Sequence, residues 1–397
     1  GGTNVTAVKI AGGSKIEHLQ LPDSITVLDL RNTKFLDNFE VGDLTHIGFL
    51  RLENNKYIDG FTSLKEAYGA NGGALQNVRV IGFTYDGDAT DVDMLANLSS
   101  KAYGIDSEGL PTTGNPIIEG TLNVAGSIYE DAGEVVKRKY PNLILNVLGG
   151  YFMRFEDAEV ARICAENWGD GIGITSSQVA EVTSIGTVFN KNTKITNFDE
   201  FAKFVNVTEL NGADNATNAQ SLGAFYGCSS LASITFPPQL TSINGGAFVG
   251  TSALDITLNI PTLQSLGHNV FKSSGIRRVV NLGSISQVDN YGTTNWGGEG
   301  MFYGCANLEL AIIPATVTSI AACAFYSCTS LTTFVCKASV PPTLGNTNAL
   351  AGTPIASGAG SIYVPDASVS AYREASGWSS YASRIISMDC PKLISRY

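Results

Sequence analysis

One phrase recurs along the second half of the chain and limits what it can fold into. It reads AFYGCSSLASITFPPQLTSI from Ala224, AFVGTSALDITLNIPTLQSL from Ala247 and, in a worn copy, VFKSSGIRRVVNLGSISQV from Val270. It returns as MFYGCANLELAIIPATVTSI from Met301 and AFYSCTSLTTFVC from Ala324. The phenylalanines Phe225, Phe248, Phe271, Phe302 and Phe325 are separated by 23, 23, 31 and 23 residues. A fixed period of this length marks a repeat architecture, in which one unit buries its apolar edge only by stacking on the next.

Within a unit, Leu231, Ile234 and Phe236 precede Pro237 and Pro238, and Leu240 and Ile243 follow. Later units keep the second pair as Leu263 and Leu266, Ile285 and Val288, and Val317 and Ile320. Apolar residues two or three apart, interrupted by Pro or Gly, suit very short strands joined by turns. Each coil is therefore expected to carry two small strands with the Phe side chain in the corner between them.

AFYGCSSL followed by ITFPPQLTSI resembles the BspA-type leucine-rich repeat of bacterial cell surfaces. The ending SIYVPDASVSAYREASGWSSYASRI, Ser361 to Ile385, is similar to segments that close such arrays in gut Bacteroidetes proteins. The resemblance implies an extracellular recognition protein with no catalytic role. Read from its residues alone, the ending is a strand at Ile362 to Val364, a stop at Pro365 and a helix turning Val369, Tyr372 and Trp378 inward. A stacked array needs such a cap, because its last coil otherwise leaves an edge bare.

Upstream, Leu19, Leu21, Leu28, Leu30, Leu50, Leu52, Val78 and Val80 lie in similar short apolar runs. Leu28, Phe39 and Leu50 are spaced by 11 residues, about half of 23, as a strand every half coil requires. Residues 1–87 read as a degenerate leucine-rich array. In residues 88–150 the rhythm changes to a helix from Asp88 or Asp91 with Val92, Leu95 and Leu98 on one side, then a strand at PIIEGTLNVAG, a helix at YEDAGEVVKRKYP and a strand at NLILNVL. This strand-helix-strand order suits a small α/β closing unit. Such a stretch after leucine-rich coils resembles tail and appendage proteins of gut bacteriophages.

Residues 151–208 read as a helical linker, with Val160, Ile163, Cys164 and Trp168 at helical spacing. NWGDGIGITSSQ then resembles a broken EF-hand loop, with Asn167, Gly169 and Gly171 where acidic ligands belong and Gln178 in place of the last carboxylate. Calcium needs several carboxylates there, so no metal is expected. Phe198, Phe201 and Phe204 form an apolar face leading into residues 209–360, the regular repeats, and residues 361–397 form the cap. The expected fold class is α+β: a leucine-rich-repeat solenoid of short strands, with the α/β unit and the helical linker between two arrays.

Charge and composition narrow the function. Lys and Arg total 25 against 36 Asp and Glu, giving a net charge of -11 and no basic block. That argues against nucleic acid, whose phosphates require clustered cations. No apolar run is long enough for a membrane helix. The chain begins at Gly1 rather than Met, as a processed or truncated product would. Cys228, Cys305 and Cys328 each fall three residues after a repeat Phe, in a slot that also holds Thr251 and Ser274, so unpaired stacked residues are expected. Cys164, Cys323, Cys336 and Cys390 show no CxxC spacing.

His18, His46 and His268 lie in different repeats, with His268 expected in an exposed turn, and none has a nucleophile and an orienting acid nearby in sequence. No Gly-rich phosphate loop follows a strand. No catalytic residue and no cofactor are expected. The candidate binding site is instead the break in the period. Five residues separate Ile243 from Phe248, Leu266 from Phe271 and Ile320 from Phe325, but fourteen separate Val288 from Phe302. The extra residues lie in DNYGTTNWGGEG, which presents Tyr291, Trp296 and Glu299 among glycines. Insertions in repeats gather on one face, and Tyr and Trp supply contact area at low entropic cost. The partner is expected to be a protein or a glycan on another surface. The location is outside the cytoplasm, on a bacterial cell surface as an adhesin, or in a phage virion, where assembly into an oligomer is also admitted.

Overall fold

The computed structural model describes residues 5–10, 15–29, 34–41, 49–51, 80–97, 117–212, 223–288, 300–345 and 347–389. It divides into two compact units, Gly1–Met153 and Arg154–Tyr397.

In the first unit the strands are, in chain order, β1 (Ala7–Lys9), β2 (Lys15–Leu19), β3 (Val27–Asp29), β4 (Lys34–Val41), β5 (Phe49–Arg51), β6 (Val80–Gly87), β7 (Ile117–Val124), β8 (Ile128–Tyr129), β9 (Leu143–Val147) and β10 (Tyr151–Phe152). One six-stranded sheet runs β1-β3-β5-β6-β7-β9, while β2 pairs with β4 and β8 with β10. Every described pairing is parallel. Leu28 and Leu50 share a row of the main sheet, whereas Phe39 lies in β4 of another sheet, so alternate half-coil strands do fall in different sheets. Helix α1 (Ala89–Asn97) turns Val92 and Leu95 inward, and Leu98 lies outside the described residues. Helix α2 (Glu130–Lys139) connects β7 to β9 in the expected strand-helix-strand order. A signal in this region escaped the sequence reading: Leu122, Asn123 and Val124 are repeated as Leu145, Asn146 and Val147, and the two triplets align residue for residue across β7 and β9.

The second unit opens with helix α3 (Ala158–Trp168), whose N-cap is Asp157. Stacked coils follow, each with two short strands, as the spacing predicts. One strand per coil builds a six-stranded parallel sheet from Thr257–Asn259, Arg278–Asn281, Leu310–Ile313, Thr333–Cys336, Ser361–Val364 and Ile385–Ser387. The second strand builds shorter parallel ladders, such as Glu209–Leu210 with Ser242–Ile243 and Ser265–Leu266.

Between them lies the Phe-bearing turn, and it too is stacked. Neighbouring rings of Phe225, Phe248, Phe271, Phe302 and Phe325 have centroids 5.1 to 5.5 Å apart with planes within 18°. Each ring is buried. The Phe248 N–H donates to the Val270 carbonyl and the Phe302 N–H to that of Ala324, at 2.8 and 2.9 Å, so backbone and rings keep the same register. The column starts one coil earlier than the sequence period does. Phe189, inside the segment read as linker, stacks on Phe225 at 5.4 Å and 20°.

Cys228, Cys305 and Cys328 form no disulfide, as expected, and Cys164, Cys323 and Cys336 are likewise buried outside any disulfide. The Cys228, Cys305 and Cys328 thiols donate at 3.0 Å to the carbonyls of Phe189, Phe271 and Phe302, which belong to the preceding coils. Desolvation pushes the Cys228 and Cys305 thiols up to about 12.

Two expectations need correction. His268 is only 8% exposed, because its turn is stacked on the preceding coil, with the Gly246 N–H donating 2.8 Å to its carbonyl. Val369 is half-buried and the neighbouring Ser368 is the buried residue, its hydroxyl bonding the Ser339 carbonyl at 2.7 Å. Tyr372 and Trp378 do turn inward and are fully buried.

The residue two after each ring occupies the left-handed region: Lys191, Gly227, Gly250, Ser273, Gly304 and Ser327 have φ of 57°, 71°, 74°, 56°, 71° and 59°, and Gly352, two after Leu350, continues the series at 76°. An L residue there costs roughly 1–2 kcal/mol. Ser327→Gly is therefore expected to raise stability by about 0.5–1 kcal/mol. Gly304→Val, which adds a β-branch at positive φ beside the Ser273 hydroxyl, should lower it by more than about 1 kcal/mol. Urea unfolding of the two variants checks both signs.

Candidate functional site

The inserted segment that carries Tyr291, Trp296 and Glu299 lies outside the described residues. The chain enters it after Val288, a buried residue at the end of the strand Gln287–Val288, and leaves it at Gly300. A Cβ on Gly300 would collide with the Cys323 carbonyl, so the backbone after the insertion runs hard against the next coil. Next in sequence come Met301, Phe302 and Tyr303.

Tyr303 belongs to a column just outside the buried rings, at the position after each repeat Phe. Tyr303 and Tyr326 stack at 5.3 Å and 8°. Lys272 from the preceding coil holds its Nζ 5.7 Å from the Tyr303 ring centre, and Lys191 repeats this over Tyr226 at 5.9 Å. These residues are half-buried except for exposed Lys191, so the column presents hydroxyl edges and ammonium groups, with the Tyr303 and Tyr326 faces directed at each other.

A second surface was not recognised in the sequence. On the long sheet, Leu258, Val279, Ala311, Phe334 and Ile362 are fully buried, so alternate strand residues face away from that core. Outward positions would ordinarily be polar. Here Ile312, Val335, Tyr363 and Ile386 follow one another in register across four strands. With Leu310, Val280 and Met388 they form an apolar cluster in which Leu310, Val335 and Tyr363 are buried and Ile312 and Ile386 half-buried. The strand Thr333–Cys336 is buried at all four positions, as in a strand covered on both faces. The sequence signal was available in LAII, TFVC and SIYV, where apolar residues do not alternate with polar ones.

Charges border this row at the strand entrances. Arg277 Nε lies 3.8 Å from Asp255 and 3.5 Å from Glu309, and Arg278 lies 3.9 Å from Glu309. All are about half exposed, so these pairs add little to stability. They give the row a polar rim of both signs.

The broken EF-hand-like loop is closed on itself. The Asp170 carboxylate accepts the N–H groups of Ile172 and Gly173 at 2.9 and 3.0 Å. Gln178 completes a capping box with Thr175 at the start of helix α4 (Ser176–Glu181). A Cβ on Gly169 would meet the Gly173 carbonyl, so an acidic side chain has no room at that position. Among the described residues, no group of three His, Cys, Asp or Glu is placed to hold a metal ion. No described helix is long and apolar enough to cross a membrane.

The sequence matches the BspA type leucine rich repeat region family over residues 182–296 and 297–347, in six copies. Residues 182–347 are BspA-type leucine-rich repeats. The match begins before Phe189, in agreement with the extra ring of the column, and it does not include the first unit. No curated protein matches the chain. Repeats of this family ordinarily serve as binding or scaffold modules on surfaces or in secreted proteins, and the perturbed carboxylates of the second unit have structural work to do.

Asp157 is the clearest case. Its two oxygens accept N–H groups of Glu159 and Val160 in helix α3 at 2.9 and 3.2 Å, and the N–H and hydroxyl of Thr196 in the first BspA-type coil at 2.7 and 2.8 Å. Burial pushes its pKa upward, but the bonds from Thr196, Val160 and Glu159 outweigh this and hold it below the ordinary carboxylate value. A lowered folded pKa stabilises the fold above the unfolded pKa of about 4, and that contribution is lost as pH falls through the folded value. Asp157→Asn is expected to cost about 2 kcal/mol at pH 7 and to flatten the loss of stability below about pH 4. Thermal unfolding of both proteins between these pH values measures it.

Proposed function

We propose that this chain is a non-enzymatic recognition protein that acts outside the cytoplasm and binds a partner protein through its BspA-type leucine-rich solenoid. The contact would combine the outward apolar row of the long sheet with the inserted segment carrying Tyr291, Trp296 and Glu299. The observation that carries this reading is the array of BspA-type repeats over residues 182–347; on its long sheet Ile312 and Ile386, half-buried beside the buried Val335 and Tyr363, supply apolar contact area. A partner interface commonly has an apolar centre and a polar rim, and Asp255, Arg277, Arg278 and Glu309 supply the rim.

A row dominated by aliphatic side chains favours protein over glycan. Sugars bind on open aromatic faces and fans of hydrogen-bonding groups, whereas in the tyrosine column the Tyr303 and Tyr326 rings cover one another. An adhesive role at a bacterial surface fits the family, the low content of charged residues and the absence of basic clusters. In this reading the first unit is a second leucine-rich array, and helices α3 and α4 lead into the BspA-type coils.

The test measures binding of the intact chain to immobilised extracellular-matrix proteins and to a glycan array, with Ile312→Lys and Trp296→Ala beside the parent. The expected result is binding to a protein surface that survives enzymatic deglycosylation and weakens at least tenfold in both variants, with melting temperatures within a few degrees of the parent. Glycan binding that Ile312→Lys leaves intact would overturn the protein reading. Protein binding indifferent to both substitutions would overturn the assigned surface.

A further inference from the structure

The edge strand β9 of the first unit bears four features with a single geometric solution. Among the described residues it is the last strand of its sheet, bonded along one side to β7. The Leu148 N–H donates to the Val124 carbonyl at 3.0 Å, so in this parallel ladder the backbone groups of the even-numbered residues Ile144, Asn146 and Leu148 point toward β7. Those of Leu145 and Val147 therefore point to the open side. The Val147 carbonyl also receives the Gly150 N–H at 3.4 Å, which leaves it a second lone pair.

The core ends at the same place. Leu122 and Val124 of β7 are fully buried, but their counterparts one strand later, Leu145 and Val147, are only partly covered.

A side-chain ladder ends there as well. Asn123 Nδ2 donates to Asp86 at 2.9 Å, and Asn146 Nδ2 donates to Asn123 Oδ1 at 2.9 Å. Among the described residues, Asn146 Oδ1 receives no hydrogen bond, so the amide ladder stops with an acceptor at the edge.

The flanks of Asn146 are exposed and apolar: Ile144 is 59% exposed and Leu148 76%. An open edge strand is ordinarily protected by a Lys, a Pro or a bulge, and Leu143–Val147 reads LILNV, with none of these.

We propose that β9 is a self-association site, on which a second copy of this chain adds its own β9 antiparallel about a two-fold axis through Asn146, joining the two six-stranded sheets into one. Ile144, Asn146 and Leu148 read apolar, amide, apolar in either direction. The two-fold therefore sets Ile144 against Leu148 of the second copy, twice, and Asn146 against its mate.

The backbone falls into the matching phase. Leu145 and Val147, whose groups face the open side, become the hydrogen-bonded pairs, and the exposed even-numbered residues become the close non-hydrogen-bonded pairs. Because the axis is normal to the sheet, both cores lie on the same side, and the partly covered Leu145 and Val147 meet Val147 and Leu145 of the second copy. Closed two-fold pairing is also the commonest form of self-assembly. The alternative, parallel addition of β9 to β1 of another copy, offers only three residues, Ala7–Lys9, and would propagate without closing.

Sedimentation velocity of the full chain across a hundredfold range of concentration tests this. The parent should be dimeric. Ile144→Lys combined with Leu148→Lys should weaken association at least tenfold, with an unchanged circular dichroism spectrum. Ile144→Lys combined with Leu148→Glu should restore association, because opposite charges then face each other across both pairs.

Register is read separately by cysteine cross-linking in a Cys390→Ser background. Mates across a non-hydrogen-bonded pair lie about 4.5 Å apart at Cα, within disulfide range. Asn146→Cys should thus cross-link under mild oxidation, while Ile144→Cys should not. A parent that is monomeric throughout, dimers that persist with both lysines, open-ended growth with concentration, or cross-linking at 144 in place of 146 would each overturn the proposal.

Discussion

The phenylalanine column is the interaction on which the second unit depends. Hydrogen-bonded parallel strands lie about 4.8 Å apart, and aromatic rings are favourably offset at centroid separations of about 4.5–7 Å. One coil repeat satisfies both conditions, which is why rings 5.1 to 5.5 Å apart coexist with turn hydrogen bonds of 2.8 and 2.9 Å. The remaining geometry repeated from turn to turn serves the same register. A left-handed residue two positions after the ring lets the chain reverse, and a small polar or thiol side chain one position later fits the buried slot. Where that residue is Cys228, Cys305 or Cys328, it ties the turn to the preceding coil. These thiols are structural donors in a dry column, which accounts for the upward displacement of their pKa values.

A stack of coils has two ends, and the second unit covers both with aromatic side chains. At the start of the array, Phe189, Phe198, Phe201 and Phe204 are all buried, and Trp168 packs edge-on against Phe204 at 5.9 Å. At the other end Tyr372 and Trp378 meet at 5.0 Å, and each satisfies its polar atom on the last turns: Tyr372 Oη on the Ala338 carbonyl at 2.8 Å, Trp378 Nε1 on that of Pro342 at 2.7 Å. Two large amphipathic rings thereby close the interior and leave no buried donor unmatched there. In the first unit the sheet ends at β9 with half-covered Leu145 and Val147. Among the described residues no strand pairs with the open side of β9, in contrast to the capped ends of the second unit.

What the sequence made legible, and what it hid, follows from how each feature is encoded. The repeat phenylalanines were legible because each sits in a short, nearly constant phrase. Phe189 was not, because FNKN replaces FYGC around it and 36 residues separate it from Phe225. The strand and helix order of residues 117–147 was readable from turn and apolar signals, yet the Leu-Asn-Val repeat passed unnoticed, since two copies do not establish a period. His268 was misplaced because a position that varies between units looks exposed, whereas in a stacked turn the neighbouring coil covers it. The apolar row on the long sheet was hidden for another reason. Strands apolar on both faces show no alternation, so their outward residues read as ordinary core. The inserted segment with Tyr291, Trp296 and Glu299 was visible only as a break in the period.

A double-mutant cycle on the ring column tests the central claim most directly. Phe248 and Phe271 are neighbours at 5.4 Å, whereas Phe225 and Phe302 are separated by two intervening rings. With Phe→Leu substitutions and urea unfolding, the account predicts a coupling of about 0.5–1.5 kcal/mol for Phe248 with Phe271. For Phe225 with Phe302 it predicts additivity within about 0.5 kcal/mol. Additive effects at the neighbouring pair would contradict it, since the rings would then be independent fillers of separate cores.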